Sequence, residues 1–157
     1  MCDTLLKKLF SIILFSGALF LSSCKKEYAD GMDRATYTLS LNSSGSQQIP
    51  VSNAQSTLSG SYNAGTNVLE YKITWTGLAS GATSVFFHGP AGQNEDGAVD
   101  LYSLGITVPG VNGEATGKIS ISEVQEEGLL MGKWFYNINN ATYLNGEIHG
   151  QIAASPY

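Results

Sequence analysis

From residue 35 onward the chain consists of short runs in which apolar and polar residues alternate, and the runs end at Gly, Asn or Ser. Alternation with a period of two is the pattern of a strand that has one buried and one solvent-facing side. The clearest run covers residues 69–76. Its apolar residues all fall on one face: Leu69, Tyr71, Ile73 and Trp75. Runs of this kind predict β-strands and leave little of the chain for helices.

Similar runs recur along the chain, at residues 36–41, 57–62, 83–88, 98–104, 116–121, 133–139 and 147–153. Short strands separated by turn residues are typical of antiparallel sandwiches and barrels. We therefore predict an all-β fold, an immunoglobulin-like antiparallel β-sandwich or barrel of about eight strands, with no helix longer than about two turns. The predicted core contains Leu39, Leu58, Leu69, Tyr71, Ile73, Trp75, Val85, Phe87, Ile119, Trp134, Tyr136, Ile138, Ile148 and Ile152.

One short helix is predicted after residue 121. Ser122-Glu123-Val124-Gln125 has the spacing of a capping box, in which the Ser122 and Gln125 side chains each satisfy a backbone N–H. The apolar residues at 129–131 would pack this helix onto the edge of the sandwich. The acidic residues near its start suit the positive end of the helix dipole, and the alternative for them is a cation site: Glu123, Glu126 and Glu127.

The N-terminus has the order of features found in a bacterial lipoprotein signal. Lys7 and Lys8 precede an apolar run over residues 9–21, which is too short for a comfortable membrane span. The run ends in Leu21-Ser22-Ser23-Cys24, which resembles a lipobox, although an ordinary signal peptide with a chance Cys remains the alternative. We predict that residues 1–23 are a signal peptide and that Cys24 is lipidated. Residues 24–34 would then form a tether, and residues 35–157 a single β-sandwich domain.

A lipid anchor would place the protein in the bacterial cell envelope, with the membrane as its first partner. Residue 25 is Lys rather than Asp, so by resemblance to the enterobacterial sorting rule inner-membrane retention is not signalled. We predict that the protein is located at the outer membrane and that its domain faces either the periplasm or the cell surface.

Cys2 lies in the segment to be removed, so the domain is predicted to lack a disulfide. The net charge of −5 argues against nucleic acid as a partner.

Two segments of the chain resemble each other. Residues 112–122 and 145–155 are identical at six of eleven positions, and each begins with Asn-Gly-Glu. A single pair is too little for a solenoid. We interpret the likeness as one turn-plus-strand solution used twice, with Asn-Gly for a positive φ and a later Gly where backbones pack closely.

Two other features carry a family resemblance. Residues 85–92 read Val-Phe-Phe-His-Gly-Pro-Ala-Gly and residues 145–152 read Asn-Gly-Glu-Ile-His-Gly-Gln-Ile. Together they resemble the signature segments of the CHRD (chordin) domain family, and the resemblance extends over residues 35–153. It implies a β-fold that occurs outside cells in different contexts, without one shared chemistry.

The chain departs from the pattern of that family at three places. Family members usually read His-x-His-Gly-Pro, then Asn-x-His-Thr, then Gly-Glu-x-Arg-Gly-Gln. Here Phe86 replaces the first His, Asn139-Asn140 replaces His-Thr, and His149 replaces Arg. The implied fold is unaffected by these changes, whereas any function that depends on the family's His set is weakened.

We predict a lipid-anchored envelope module that is not an enzyme, needs no cofactor and binds an extracellular protein or glycan. Ser103, His88 and Asp100 could form a nucleophile–His–acid set, but the Gly-x-Ser-x-Gly motif is absent. The resemblance to Cu/Zn superoxide dismutases is one of architecture only, since that chemistry needs more than two His. Residues 92–97 with Asp100 could bind calcium, but they lack the spacing of a known calcium loop.

The candidate site follows from strand alternation, which places the polar signature residues on faces opposite the apolar ones. Our hypothesis is one polar ligand cluster beside the Gly89-Pro90 turn, formed by His88, Asn139, Glu147 and His149. One alternative is a metal-binding or weakly catalytic secreted protein that uses His88 and His149, although two imidazoles hold a metal weakly. In the other alternative, His88 only forms a hydrogen bond with the backbone at the turn, and His149 faces solvent.

Overall fold

The computed structural model describes residues 35–44, 51–90 and 99–157. Within these ranges the chain forms nine strands and one helix, so the all-β prediction is confirmed. The elements are β1 (Thr36–Ser44), β2 (Gln55–Asn63), β3 (Val68–Thr76), β4 (Ala82–Gly89), β5 (Val99–Leu104), β6 (Ile106–Val108), β7 (Gly113–Ser120), α1 (Glu123–Leu130), β8 (Trp134–Asn140) and β9 (Ile148–Pro156).

The strands form one antiparallel sheet in the order β5-β4-β8-β9-β1-β2-β3-β7-β6, which curls into a nearly closed barrel. Across the opening, the Tyr102 hydroxyl of β5 donates a hydrogen bond of 2.9 Å to the Ser120 carbonyl of β7. The strand order brings β4, β8 and β9 side by side, although they are distant in sequence. One signature segment lies in β4, and the other begins just before β9 and continues into it. The two segments therefore lie on opposite sides of β8.

The core follows the predicted alternation. Every second residue of β3, from Leu69 to Trp75, is buried, and the core continues across β4, β8 and β9. Trp75 and Tyr136 are 1% and 0% exposed, so the assumed register is confirmed, because a one-residue slip would turn both to solvent. Ile119 differs from the prediction. It is only partly buried near the end of β7, and Ile121, just beyond the strand, is buried instead.

Helix α1 begins with the predicted capping box. The Ser122 hydroxyl accepts from the Gln125 N–H over 3.3 Å, and Gln125 Oε1 accepts from the Ser122 N–H over 2.8 Å. Leu129 is fully buried and Leu130 partly buried, as expected. Met131, however, is 62% exposed, because the helix ends at Leu130 and Met131 caps it instead of packing on the barrel.

The internal likeness has a structural explanation in glycines that lie opposite tyrosines. Gly117 pairs with Tyr71 and Gly150 pairs with Tyr136, at equivalent places in the two similar segments. A Cβ added to Gly117 would lie 2.6 Å from the Tyr71 hydroxyl, so each glycine makes room for a ring from the next strand. The predicted positive φ is found at Gly146, at +110°, whereas Gly113 has no positive φ and lies opposite Trp75.

Several predictions concern residues that the structure does not describe. The signal peptide, Cys24 with its tether, and the candidate calcium loop at residues 92–97 all lie outside the described ranges. Within residues 35–44, 51–90 and 99–157, no helix is long and apolar enough to cross a membrane.

Candidate functional site

The outer face of β4, β8 and β9 carries an array of aromatic and polar side chains. His88 pairs with Phe135, and Phe86 pairs with Asn137. Asn137 in turn pairs with His149 of β9. We call these five residues the β4–β8–β9 patch. Their neighbours along each strand, such as Phe87, Tyr136 and Ile148, point into the core.

The four rings of the patch contact one another in a continuous row. The His88 imidazole stacks on Phe135 with 4.9 Å between centroids and 14° between planes. Phe86 lies 5.9 Å from His88, and Phe135 lies 6.5 Å from His149. These contacts fix the orientation of each ring and shield the polar atoms between them.

His88 is held by a carboxylate from the neighbouring strand. Its Nδ1 lies 2.9 Å from Asp100 Oδ1, and the His88 side chain is 11% exposed whereas that of Asp100 is 67% exposed. Burial lowers the pKa of His88, and the nearby Asp100 opposes this only in part. The imidazole is therefore neutral at pH 7 and donates from Nδ1, which leaves Nε2 with a lone pair.

His149 and Asn137 meet above Gly146. A Cβ added to Gly146 would lie 2.8 Å from His149 Nε2 and 3.3 Å from Asn137 Cγ, so the glycine creates the space that both side chains use. Burial lowers the pKa of His149, a hydrogen bond to the Gly146 backbone raises it, and His88, when protonated, lowers it further.

The two imidazoles are nevertheless on strands that are separated by β8. The ring of Phe135 on that strand stacks with both of them. They therefore lie on the same outer face, with an aromatic ring between them in the sheet.

Three polar atoms in this region are buried and have no hydrogen-bond partner within the described residues: His88 Nε2, Asn137 Oδ1 and Asn139 Oδ1. More than nine-tenths of buried polar groups in folded proteins have a partner. Because all three atoms lie on the same strand pair, their concentration marks this face as the candidate binding site.

Glu147 does not join this patch, so that part of the predicted cluster is wrong. Its side chain is completely buried, and its carboxylate accepts hydrogen bonds from the Ser52 hydroxyl and the Asn140 amide. The Ala79 N–H also donates to it, over 3.0 and 3.1 Å. Glu147 precedes β9, where the segments around Ser52 and Ala79 cover it. Strand alternation does not apply there.

Asn139 is also farther from His88 than predicted. It pairs with Ser84, whereas His88 pairs with Phe135, so the two residues are four positions apart along the paired strands. Asn139 lies beyond Asn137 on β8, and its Oδ1 is a further buried acceptor for which the described part of the chain supplies no donor. The observed arrangement thus contains His88 and His149, with Asn137 in place of Asn139 beside them.

Sequence reasoning missed the roles of Phe135 and the partners of Glu147. Strand alternation could have found Phe135, because it shares the parity of Asn137 on β8. No local signal could have found Ser52 or Ala79, since they are 95 and 68 residues from Glu147 along the chain.

Of the contacts that the catalytic and metal-site interpretations require, the described residues form only some. Asp100 contacts His88, but Ser103 pairs with Phe86 instead of His88 on the neighbouring strand. Within the described ranges, no group of three His, Cys, Asp or Glu side chains is arranged to hold a metal ion. The Glu residues of helix α1 form no such group either.

A shallow depression on the opposite part of the barrel, over β2, β3 and β7, provides a contrast. Its charged residues neutralise one another, with Lys72 Nζ 2.8 Å from Glu114 and Lys118 Nζ 2.5 Å from Glu70. This surface is an ordinary solvated sheet face.

Comparison with known proteins supports the likeness seen in the signature segments. Residues 39–152 match the family profile of the CHRD domain. Neither the curated proteins nor the solved structures contain a significant match. The matched region runs from β1 into β9 and includes every residue of the patch. The chain therefore belongs to the CHRD domain family.

Proposed function

We propose that this protein is a lipid-anchored binding module of the bacterial cell envelope that has no enzymatic activity. The CHRD domain is a binding-type domain, which supports this class of function. The observation that carries the proposal is the β4–β8–β9 patch. It is an outward sheet face with aromatic rings, buried acceptors that have no partner among the described residues, and a neutral His88 held by a carboxylate. Such a combination of apolar surface and a few fixed polar atoms is typical of ligand sites.

The proposed anchor rests on the order of features before the domain. The basic residues Lys7 and Lys8, the apolar run and Leu21-Ser22-Ser23-Cys24 follow one another as in bacterial lipoproteins. Lys25 supports a location at the outer membrane, where the domain would face the periplasm or the cell surface. Acyl chains on Cys24 would contribute about 0.8 kcal/mol per buried methylene, which suffices for a stable anchor when several chains insert.

Replacing Cys24 by Ser is expected to abolish lipidation and membrane association while the domain stays folded, because residue 24 lies before the barrel. Cells fed a fatty-acid probe should label the wild-type protein and not Cys24→Ser, and the Cys2→Ser variant should label normally. Label retained on Cys24→Ser would place the anchor elsewhere.

The proposed partner is an extracellular protein or a glycan, and the patch is where it binds. The full-length protein in detergent micelles would be tested against a glycan array and, by cross-linking, against envelope extract. His88→Ala should lose the bound partner while the protein remains folded by circular dichroism, whereas the exposed control Ser59→Ala on β2 should retain it. Equal loss with both variants, or retention with His88→Ala, would exclude the patch as the binding surface.

A metal-binding protein that uses His88 and His149 is the second candidate. One observation favours it, since metal-ligating histidines usually donate the N–H of their other ring nitrogen to a carboxylate, carbonyl or water, as His88 Nδ1 does to Asp100. The Phe135 ring between the two imidazoles disfavours an ion shared by both. Zinc is therefore included among the ligands in the titration below.

A further inference from the structure

We propose that the β4–β8–β9 patch binds a guanidinium group, presented as an arginine side chain on the surface of a partner protein. This proposal rests on the binding-module function and specifies the chemistry of the partner. It is carried by the acceptor-only character of the buried polar atoms, by the row of rings and by the negative charge at the edge of the patch.

His88 supplies the first acceptor. Because Nδ1 is engaged with Asp100 at 2.9 Å, the hydrogen of the neutral imidazole resides there and Nε2 carries a lone pair. That atom is buried and has no donor within the described residues. A buried acceptor without a donor destabilises the folded protein, so a ligand that donates to it gains affinity.

Asn137 and Asn139 supply two more acceptors on β8. The Asn137 amide donates from Nδ2 to the Asn145 carbonyl over 3.4 Å, which leaves Oδ1 as an acceptor. Asn137 is the diagonal cross-strand neighbour of His88, and such neighbours have Cβ atoms typically about 7–8 Å apart. Two acceptors cannot satisfy each other. A group that bridges them must carry several donors.

A guanidinium meets these requirements better than other donors do. It is planar, carries five N–H donors and a permanent positive charge, and stacks on aromatic rings. Asp100 at the edge of the patch is 67% exposed, and the chain as a whole has a net charge of −5, so a cationic ligand is attracted. A neutral sugar could donate to the same acceptors but would gain no charge-assisted bond with Asp100.

Arginine binding at this site requires the His149 ring to turn aside. His149 is the exposed member of the patch, it pairs with Asn137, and its ring shares the space above Gly146 with that residue. Turning this ring aside uncovers Asn137 for a ligand. The same geometry means that an arginine at position 149 would bring an internal guanidinium next to Phe135 and Asn137.

The proposal is tested by NMR titration of the full-length protein in detergent micelles with Nα-acetyl-arginine amide. The signals followed are the His88 Nε2 nitrogen and the Asn137 side-chain amide. Both should shift saturably, and the isosteric, uncharged Nα-acetyl-citrulline amide should bind at least about tenfold more weakly. Equal binding of the two compounds, or saturable shifts with zinc alone, would overturn the proposal.

A variant provides the second test. His149→Arg should raise the midpoint of thermal unfolding by about 2–4 °C and weaken binding of acetyl-arginine amide at least about tenfold, because the internal guanidinium occupies the acceptors. His149→Gln, which adds no charge, should change neither quantity by as much. Unaltered arginine binding in His149→Arg would contradict the proposed site.

The two proposals can fail separately. If a partner is captured but its binding survives His149→Arg and excess acetyl-arginine amide, the protein is a binding module that recognises something other than arginine. If acetyl-arginine amide binds at His88 but no partner is captured, the arginine site stands and the binding-module function fails. Lys133 is exposed just before β8, so Lys133→Ala serves as a control that should leave arginine binding intact.

Discussion

Replacing Glu147 by Ala is expected to lower the free energy of unfolding by about 3–5 kcal/mol, because several buried donors lose their acceptor at once. The carboxylate is completely buried and accepts from Ser52, Ala79 and Asn140. Its removal would leave three donors unsatisfied inside the barrel end, each at a cost of about 1–3 kcal/mol before relaxation. Urea unfolding followed by tryptophan fluorescence measures the loss.

The matched control for this substitution is Glu70→Ala. Glu70 is exposed and pairs with Lys118 on the solvated face, where an ion pair contributes about 0–1 kcal/mol. Glu147→Gln should fall between the two, since its amide keeps one acceptor oxygen but places an NH2 group against donors. A loss below about 1 kcal/mol for Glu147→Ala would show that the carboxylate does not hold these segments together.

Replacing Gly150 by Ala is expected to cost about 2–3 kcal/mol through overpacking. The added Cβ would lie 2.6 Å from Tyr136 Cζ and 2.9 Å from Leu41 Cδ2. The Tyr136 ring cannot move aside, because it is completely buried and its hydroxyl lies 2.7 Å from the Ser56 hydroxyl in a buried hydrogen bond. Burial raises the pKa of this hydroxyl to about 12, so the ring stays uncharged at any ordinary pH.

Two other glycines provide graded controls for Gly150→Ala. Gly105 has no atom within 4 Å of an added Cβ, so Gly105→Ala should be neutral or slightly stabilising. Gly117→Ala should lie between them, because the added Cβ meets chiefly the hydroxyl end of Tyr71, which is 7% exposed and can shift. The loss in free energy of unfolding, measured with urea, should increase from Gly105→Ala to Gly117→Ala to Gly150→Ala. Equal losses at Gly105 and Gly150 would show that contact with the Tyr136 ring does not determine the effect.

The strands and their buried faces could be predicted from the sequence because the signal is local. In β3 the residues from Leu69 to Trp75 alternate in polarity, and a strand turns successive side chains to opposite sides whatever its neighbours are. The capping box at Ser122 is local in the same sense, since both hydrogen bonds span three residues. Met131 was misplaced because the sequence pattern does not fix where a helix ends to within a residue.

The candidate site could be predicted only as far as strand parity reaches. Parity placed His88, Asn137 and His149 on outer faces, and the signature segments suggested that these faces meet. It could not give the pairing of Asn139 with Ser84, which depends on the register between β4 and β8. It also failed for Glu147, which precedes β9 and follows Gly146, whose φ of +110° lies outside the strand region.

The sequence by itself determined the all-β class, the buried face of each strand and, through two short segments, the CHRD family. These properties depend on residues that are neighbours along the chain or on their side-chain chemistry. The tertiary structure decided which outer residues meet and which acid is buried. Glu147 reaches a hydroxyl 95 residues away, and His88 stacks on Phe135 because β8 inserts between β4 and β9. Contacts of this kind follow from strand order and register, which the alternation of polar and apolar residues does not encode.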